Sequence, residues 1–250
     1  MLIKHYLVKT LLLFHHKQKH KFKTGKKMKR NIVALAILGA FSISAQAADV
    51  GAAVSFGTTG IGAHLSVPVA EKINARFGVN AFDYSYDGST SNVNYDFKLK
   101  MRTLDALLDY HPYSNGFRLS AGAIYNGNKI TATGKPVGGA TYTLNGTTYT
   151  AATVGQLNGD VDFRKVAPYL GLGWGNAVGN AKGGFAFAAD LGVMFQGTPR
   201  TSLNNTGCQA ATAICQQLAT DVSAENLRLR EEAKDFKAFP VVRVGVSYRF

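Results

Sequence analysis

Between Ala238 and Phe250, apolar side chains recur at every second position. Pro240, Val242, Val244, Val246, Tyr248 and Phe250 share one parity, and Val241, Arg243, Gly245, Ser247 and Arg249 share the other. A strand has period two, so this segment presents one wholly apolar face and one that carries two guanidinium groups. The same alternation, broken by turn residues, recurs at seven earlier places. Ala52, Val54 and Phe56 share a face; after Gly57-Thr58-Thr59-Gly60 come Ile61, Ala63, Leu65, Val67 and Val69, then Ala75, Phe77, Val79 and Ala81. A long fourth strand, Tyr95 to Tyr110, holds Phe97, Leu99 and Met101 on one parity but Leu104, Ala106, Leu108 and Tyr110 on the other, which predicts a bulge near Arg102 and Thr103. Phe117 to Tyr125, Val166 to Trp174, Phe185 to Phe195 and the C-terminal segment complete the set.

Eight strands with one apolar and one polar face suit an all-β, eight-stranded antiparallel up-and-down transmembrane barrel. Lipid meets the apolar face, the lumen takes the polar one, and closure removes the sheet edge. Connection lengths alternate accordingly. Links near Glu71-Lys72, Ser114-Asn115-Gly116 and Gly179 to Gly183 are short, as periplasmic turns are; those at 87–94, 136–160 and 204–237 are longer, as extracellular loops are. Tyr84, Tyr86, Tyr95, Tyr110, Tyr113, Phe117, Tyr125, Trp174 and Phe185 fall near predicted strand ends and suggest interfacial girdles. Gln216 to Phe236 has no Gly or Pro and many Ala, Leu, Glu and Arg, which predicts a helix that caps the mouth, folds into it or stays outside. The alternative architecture is a secreted β-sandwich.

The formal charge of +13 invites a nucleic-acid reading that its distribution removes. Ten of the 28 basic residues and none of the 15 acidic ones lie in residues 1–47, which leaves the rest of the chain at +3. From Met28, the basic pair Lys29-Arg30, an apolar run from Ile32 to about Ile43 and Ala45-Gln46-Ala47 read as a secretory signal peptide over 28–47. Residues 1–27 then read as a non-native extension from an upstream start, or else as a genuine amphipathic one, with 48–250 the barrel domain. Cys208 and Cys215 are the only cysteines, and for an exported chain a small disulfide loop is the default.

With the apolar faces outward, the lumen receives His64, Ser66, Arg76, Arg118, Asp190, Met194, Gln196, Arg243, Ser247 and Arg249, joined beyond the expected bulge by Asp105, Asp109 and His111. An eight-stranded barrel encloses a space that side chains fill, and unpaired charges there are costly. His64, Arg76, Asp105, Asp109, Arg118, Asp190 and Arg243 therefore form either a structural ion-pair core or a narrow charged pathway for small zwitterions. Tyr248 and Phe250 resemble the C-terminal signal of bacterial outer-membrane barrels, which implies recognition by the barrel-assembly machinery. Neither zinc spacing nor a Gly-x-Ser-x-Gly elbow nor a phosphate loop occurs, so no cofactor, metal or catalytic residue is assigned. A lipid-modifying enzyme built on His64 or His111 is a remote alternative.

Several segments carry a family resemblance: Gly57 through Gly62, Tyr95 through Leu99, Gly122-Ala123-Ile124-Tyr125-Asn126, Ala167 through Gly173, and Phe195-Gln196-Gly197-Thr198-Pro199. Together these resemble the CarO-type outer membrane proteins, a group that includes the so-called ornithine uptake porins. The resemblance spans most of residues 50–250. It implies a monomeric barrel in the cell outer membrane, in contact with lipid and lipopolysaccharide, that takes up small, often basic amino acids. It supplies no binding motif residue by residue. The functional expectation is narrow passive passage of small polar solutes, with a closed structural or surface-interaction barrel as the alternative.

Overall fold

The alternating segments become thirteen strands in a computed structural model, which describes residues 50–89, 93–113, 115–136, 139, 141–178 and 183–250. The extension and leader assigned to residues 1–47 lie outside the described residues. In chain order the elements begin with β1 (Gly51–Gly57), β2 (Gly60–Ala70), β3 (Ile73–Ser89), β4 (Val93–Tyr110), β5 (Phe117–Asn126) and β6 (Lys129–Pro136). A small hairpin, β7 (Thr141–Leu144) and β8 (Thr147–Thr150), leads through α1 (Ala151–Val154) to β9 (Gln156–Asp162) and β10 (Val166–Trp174). Then come β11 (Gly184–Phe195), β12 (Arg200–Thr206), α2 (Thr212–Ala233) and β13 (Ala238–Arg249).

Eight of these strands close a ring. Antiparallel pairing runs from β1 through β2, β3, β4, β5, β10, β11 and β13 back to β1, so the barrel has no free edge along its shared height. These eight are the alternating segments read from the sequence. The β1–β2 turn needs Gly60, which sits at φ +95°, where a Cβ would meet the Ala81 carbonyl oxygen at 2.4 Å. Around the barrel Val54, Phe56, Phe77, Leu104, Leu108, Leu170, Leu191 and Val246 face outward and are exposed. Such a continuous apolar belt has no place on a water-soluble surface and fits hydrocarbon. No helix among the described residues is long and apolar enough to cross a membrane.

Three strands leave the ring at the end opposite the short turns. The β4–β5 ladder (Thr103↔Asn126) and the β4–β6 ladder (Lys100↔Lys129) keep one register, so β5 and β6 are one strand interrupted at Gly127-Asn128. β10 and β9 continue one another in the same way. β12 continues β11 with a slip of one residue across 196–199. The upper parts of β3 and β4 join β6, β9 and β12 in a sheet that rises past the rim. α2 packs on β12 and the β7–β8 hairpin and buries Leu218, Asp221 and Val222.

This extension corrects four sequence expectations. First, no bulge interrupts β4: its pairing with β3 runs unshifted from Ile73↔Tyr110 to Ser89↔Asn94. The parity switch has another cause. Below Thr103 the outward face of β4 meets lipid and is apolar, whereas above it the outward face meets water and carries Lys98, Lys100 and Arg102. Phe97, Leu99 and Met101 then turn inward with the parity of Asp105, so the environment changes while the geometry does not. Second, the expected loops at 87–94, 136–160 and 204–237 contain paired strands. Their inward positions mix the buried Leu157, Val161 and Leu203 with Gly159 and Thr201, so no unbroken apolar parity marks these strands in sequence. Third, Tyr84 and Tyr86 share the inward parity of Arg76 above the rim and belong to no girdle. Fourth, the helix starts at Thr212, ahead of Gln216, because the Cys208–Cys215 disulfide holds its first turn, and it ends at Ala233.

Candidate functional site

The polar parities of the eight ring strands converge in the lumen. Seven charged or titratable side chains expected in the lumen are buried there: His64, Arg76, Asp105, Asp109, Arg118, Asp190 and Arg243. Ser66, His111, Met194, Gln196 and Ser247 are buried with them. Strand register decides who meets whom, and two clusters result.

The lower cluster centres on Arg76 of β3. Its Nη1 and Nη2 donate to the two carboxylate oxygens of Asp190 on β11 at 2.9 and 3.1 Å. On its other flank Nε lies 2.8 Å and Nη2 3.0 Å from the two oxygens of Asp109 on β4. One guanidinium thus holds two carboxylates in fork geometry, the arrangement its planar donors favour. Arg118 of β5 completes the square. Its Nη2 donates to Asp190 at 2.8 Å, and its Nη1 donates to the carbonyl oxygens of Trp174 and Gly175. Ser120 donates its hydroxyl to Asp109. Two cations and two anions balance, with side-chain exposures of 4 to 6%.

The upper cluster centres on Asp105. Arg243 Nη1 lies 2.8 Å from its Oδ2, Asn80 donates to the same oxygen at 3.0 Å, and His64 Nε2 sits 3.2 Å away. Arg243 also donates through Nε to the Thr59 hydroxyl at 2.9 Å, which ties the cluster to the β1–β2 turn. Gly78 makes room for the imidazole: a Cβ there would lie 2.1 Å from His64 Cδ2. Beside it Leu107, Ile124, Ala167, Tyr169, Met194 and Val241 form a buried apolar plug. A small cavity opens below, lined among others by Ser55, Ser66, Asn74, His111, Asn176 and Arg243. His111 lies past the end of β4, where burial holds its imidazole below the ordinary histidine range.

Sequence reasoning missed four members of this site: Thr59, Asn80, Ser120 and Tyr169. Asn80 and Ser120 share parity with Arg76 and Arg118 and were legible on that ground; Thr59 lies in a turn and had no periodic signal. The acid beside His64 was also invisible, because Asp105 is brought to it across two strands. Arg249, expected in the lumen, donates to the Asn176 carbonyl oxygen at the short-turn end. Tyr248 and Phe250 face outward there in an aromatic row with Phe185, with ring centroids 4.9 and 5.1 Å apart. No group of metal-ligating side chains occurs among the described residues.

No family model and no curated protein matches the chain. Among solved structures, Acinetobacter baumannii CarO2 superposes with a TM-score of 0.51 at 23% identity, covering 82% of this chain and all of its own. Acinetobacter baumannii CarO gives 0.51 at 24% identity, covering 81% of this chain and 98% of its own. At this identity the likeness is one of fold. The chain is therefore, in fold, a CarO-type closed eight-stranded β-barrel.

Proposed function

We propose that this protein is an outer-membrane barrel giving slow, narrow passage to small polar solutes such as amino acids, basic ones like ornithine included. The short turns and both ends of the barrel domain face the periplasm in this reading. The supporting observation is the part of the lumen on the short-turn side, which is lined by polar groups balanced in charge and holds a small cavity. In its cavity wall Ser55 Oγ and Arg243 Nη2 have no hydrogen-bond partner. A zwitterion offers a carboxylate to the guanidinium and an ammonium to the aspartates, and so replaces the contacts it breaks. The constriction consists of side chains, so passage requires the paired arginines and the apolar plug around Leu107, Tyr169 and Met194 to move aside, which keeps it slow and limits solute size.

A closed barrel acting through its outer portion is the second reading, favoured by the near-complete pairing and burial of the three arginines and three aspartates. A lipid-modifying enzyme has less support. The His64–Asp105 pair lies inside the barrel with side-chain exposures of 2% and 0%, out of reach of an acyl chain in the bilayer.

The test is uptake of radiolabelled ornithine, glycine and glutamate into proteoliposomes, beside protein-free vesicles, for the wild type and Arg118→Gln. Uptake above the control that rises in the variant supports the passage. Unchanged flux with a lowered melting point would sink it in favour of the closed barrel.

A further inference from the structure

Just above the lipid-facing belt the outward surface changes character on one side only. Leu104 on β4, Tyr125 on β5 and Val166 on β10 are the last apolar side chains there, each about half exposed. The next outward position on each strand is Arg102, Gly127 and Arg164, since both ladders hold their register across the interruption. Gly127 has no side chain, and a Cβ there would lie 3.4 Å from Arg102 Cβ and 3.8 Å from the Tyr125 ring. The glycine thus leaves a notch floored by a tyrosine and flanked by two arginines whose backbones stand roughly 10 Å apart at ordinary strand spacing. The stem of Arg164 passes over Gly197.

The following outward row places Lys100 directly opposite Lys129, and Lys98 lies beyond. Like charges facing one another across a ladder destabilise it, so this pair needs an anion. The acids on this face are fewer than its cations, and two of them, Asp87 and Asp96, oppose one another across the β3–β4 ladder beyond Lys98. Asp83 is held by Arg102 at 2.5 Å and Asp160 by Lys129 at 3.0 Å; Asp162 lies opposite Lys129 and Arg200. Lys98, Lys100 and Arg164 have no ion-pair partner among the described residues. The β1–β2 side of the rim ends at its turn and has no counterpart.

We infer that this face, with the notch at Gly127 as its centre, docks the phosphorylated head of lipid A, the lipid anchor of lipopolysaccharide in the outer leaflet. The inference rests on the outer-membrane reading above. Height selects the occupant: the cations begin at the first outward position above the belt, where headgroup phosphates lie. The apolar strip of Leu104, Tyr125 and Val166 below runs in the direction the acyl chains take. Arginine forks and lysine point charges both suit phosphate, and a tyrosine at the boundary suits the sugar-to-chain transition.

The test uses the refolded full chain in detergent micelles, titrated with bisphosphorylated lipid A, with fully dephosphorylated lipid A and with inorganic phosphate, for the wild type and Arg102→Gln/Arg164→Gln. Two lost charge-assisted contacts weaken binding by about tenfold or more, so dephosphorylated lipid A and the double variant should each show at least that loss. Added salt should weaken only the phosphorylated lipid on the wild type. The variant should keep its melting point, because both arginines are exposed. Lys100→Gln, which leaves both arginines in place, should give a smaller loss. Equal binding of both lipid forms, or undiminished binding by the double variant, would overturn the site; binding of inorganic phosphate as tight as that of lipid A would make it a general anion patch and overturn the assignment too. A chain that inserts into lipid vesicles yet shows no phosphate preference refutes the docking face alone. One that does not insert refutes the membrane reading, and the docking face with it.

Discussion

Asp190→Asn is the most informative single change, because it keeps the shape of the side chain and removes only charge. Asp190 accepts three hydrogen bonds from two guanidinium groups, at 2.8, 2.9 and 3.1 Å, with about 6% of its side chain exposed. Asparagine retains one carbonyl acceptor but turns an NH2 group toward one of those arginine donors, and the lower cluster goes from neutral to one uncompensated positive charge. Charge-assisted hydrogen bonds contribute about 1.5 to 3 kcal/mol each, and breaking a buried ion pair from one side costs about 3 to 5 kcal/mol. Asp83→Asn supplies the contrast: its bond to Arg102 is as short, but both side chains are about half exposed, and such pairs contribute about 1 kcal/mol or less. Urea unfolding in lipid vesicles, followed through the fluorescence of the single Trp174, measures both variants. The expected loss is about 3 to 5 kcal/mol for Asp190→Asn and under about 1 kcal/mol for Asp83→Asn. The cost of Asp190→Asn should fall when Arg118→Gln is added, since the double variant leaves Arg76 facing Asp109 with charges balanced. If Asp190→Asn unfolds within about 1 kcal/mol of the wild type, the reasoning fails, because the lumen would then hydrate its charges instead of pairing them.

Two further predictions concern the outer portion. Asp221 of α2 is joined to the β7–β8 hairpin by the Tyr149 hydroxyl and by Asn145, and chiefly the Tyr149 hydrogen bond holds its carboxyl below the usual aspartate range. A depressed folded value means that this contribution is fully present above the unfolded value of about 4 and is lost as pH falls through the lower folded one. Hydrogen exchange of α2 should accelerate on strong acidification, while Asp221→Asn should exchange fast already at neutral pH; equal protection in both proteins at neutral pH would refute the tie. The Cys208–Cys215 link closes a loop of seven residues' separation. By chain entropy it stabilises the start of α2 by about 2 kcal/mol. Cys208→Ser/Cys215→Ser should speed proteolysis at the start of α2 without shifting the unfolding of the barrel. A large shift in barrel unfolding would show that the two parts are coupled.

The membrane part of this fold was legible residue by residue because lipid imposes a strict rule: an outward side chain must be apolar, so Val54, Phe77, Leu170 and Val246 mark both strand and facing. The same rule placed Arg76, Arg118, Asp190 and Arg243 inside. Above the rim the rule lapses. Water accepts Lys98, Thr131 and Asp160 outward, and the inward Ile130, Leu157, Val161 and Leu203 are interrupted by Ala132, Gly159 and Thr201, so β6, β9 and β12 read as loop. There a continuous strand mimicked a bulge.

Alternation along each strand thus placed the eight ring strands and most of the side chains that enter the lumen. It says nothing about register between strands. That Arg76 meets Asp190, 114 residues away, and that Asp105 reaches both His64 and Arg243, follows only from closure of the ring. Pairing across the lumen depends on strand tilt and stagger, which belong to the assembled barrel and to no single strand.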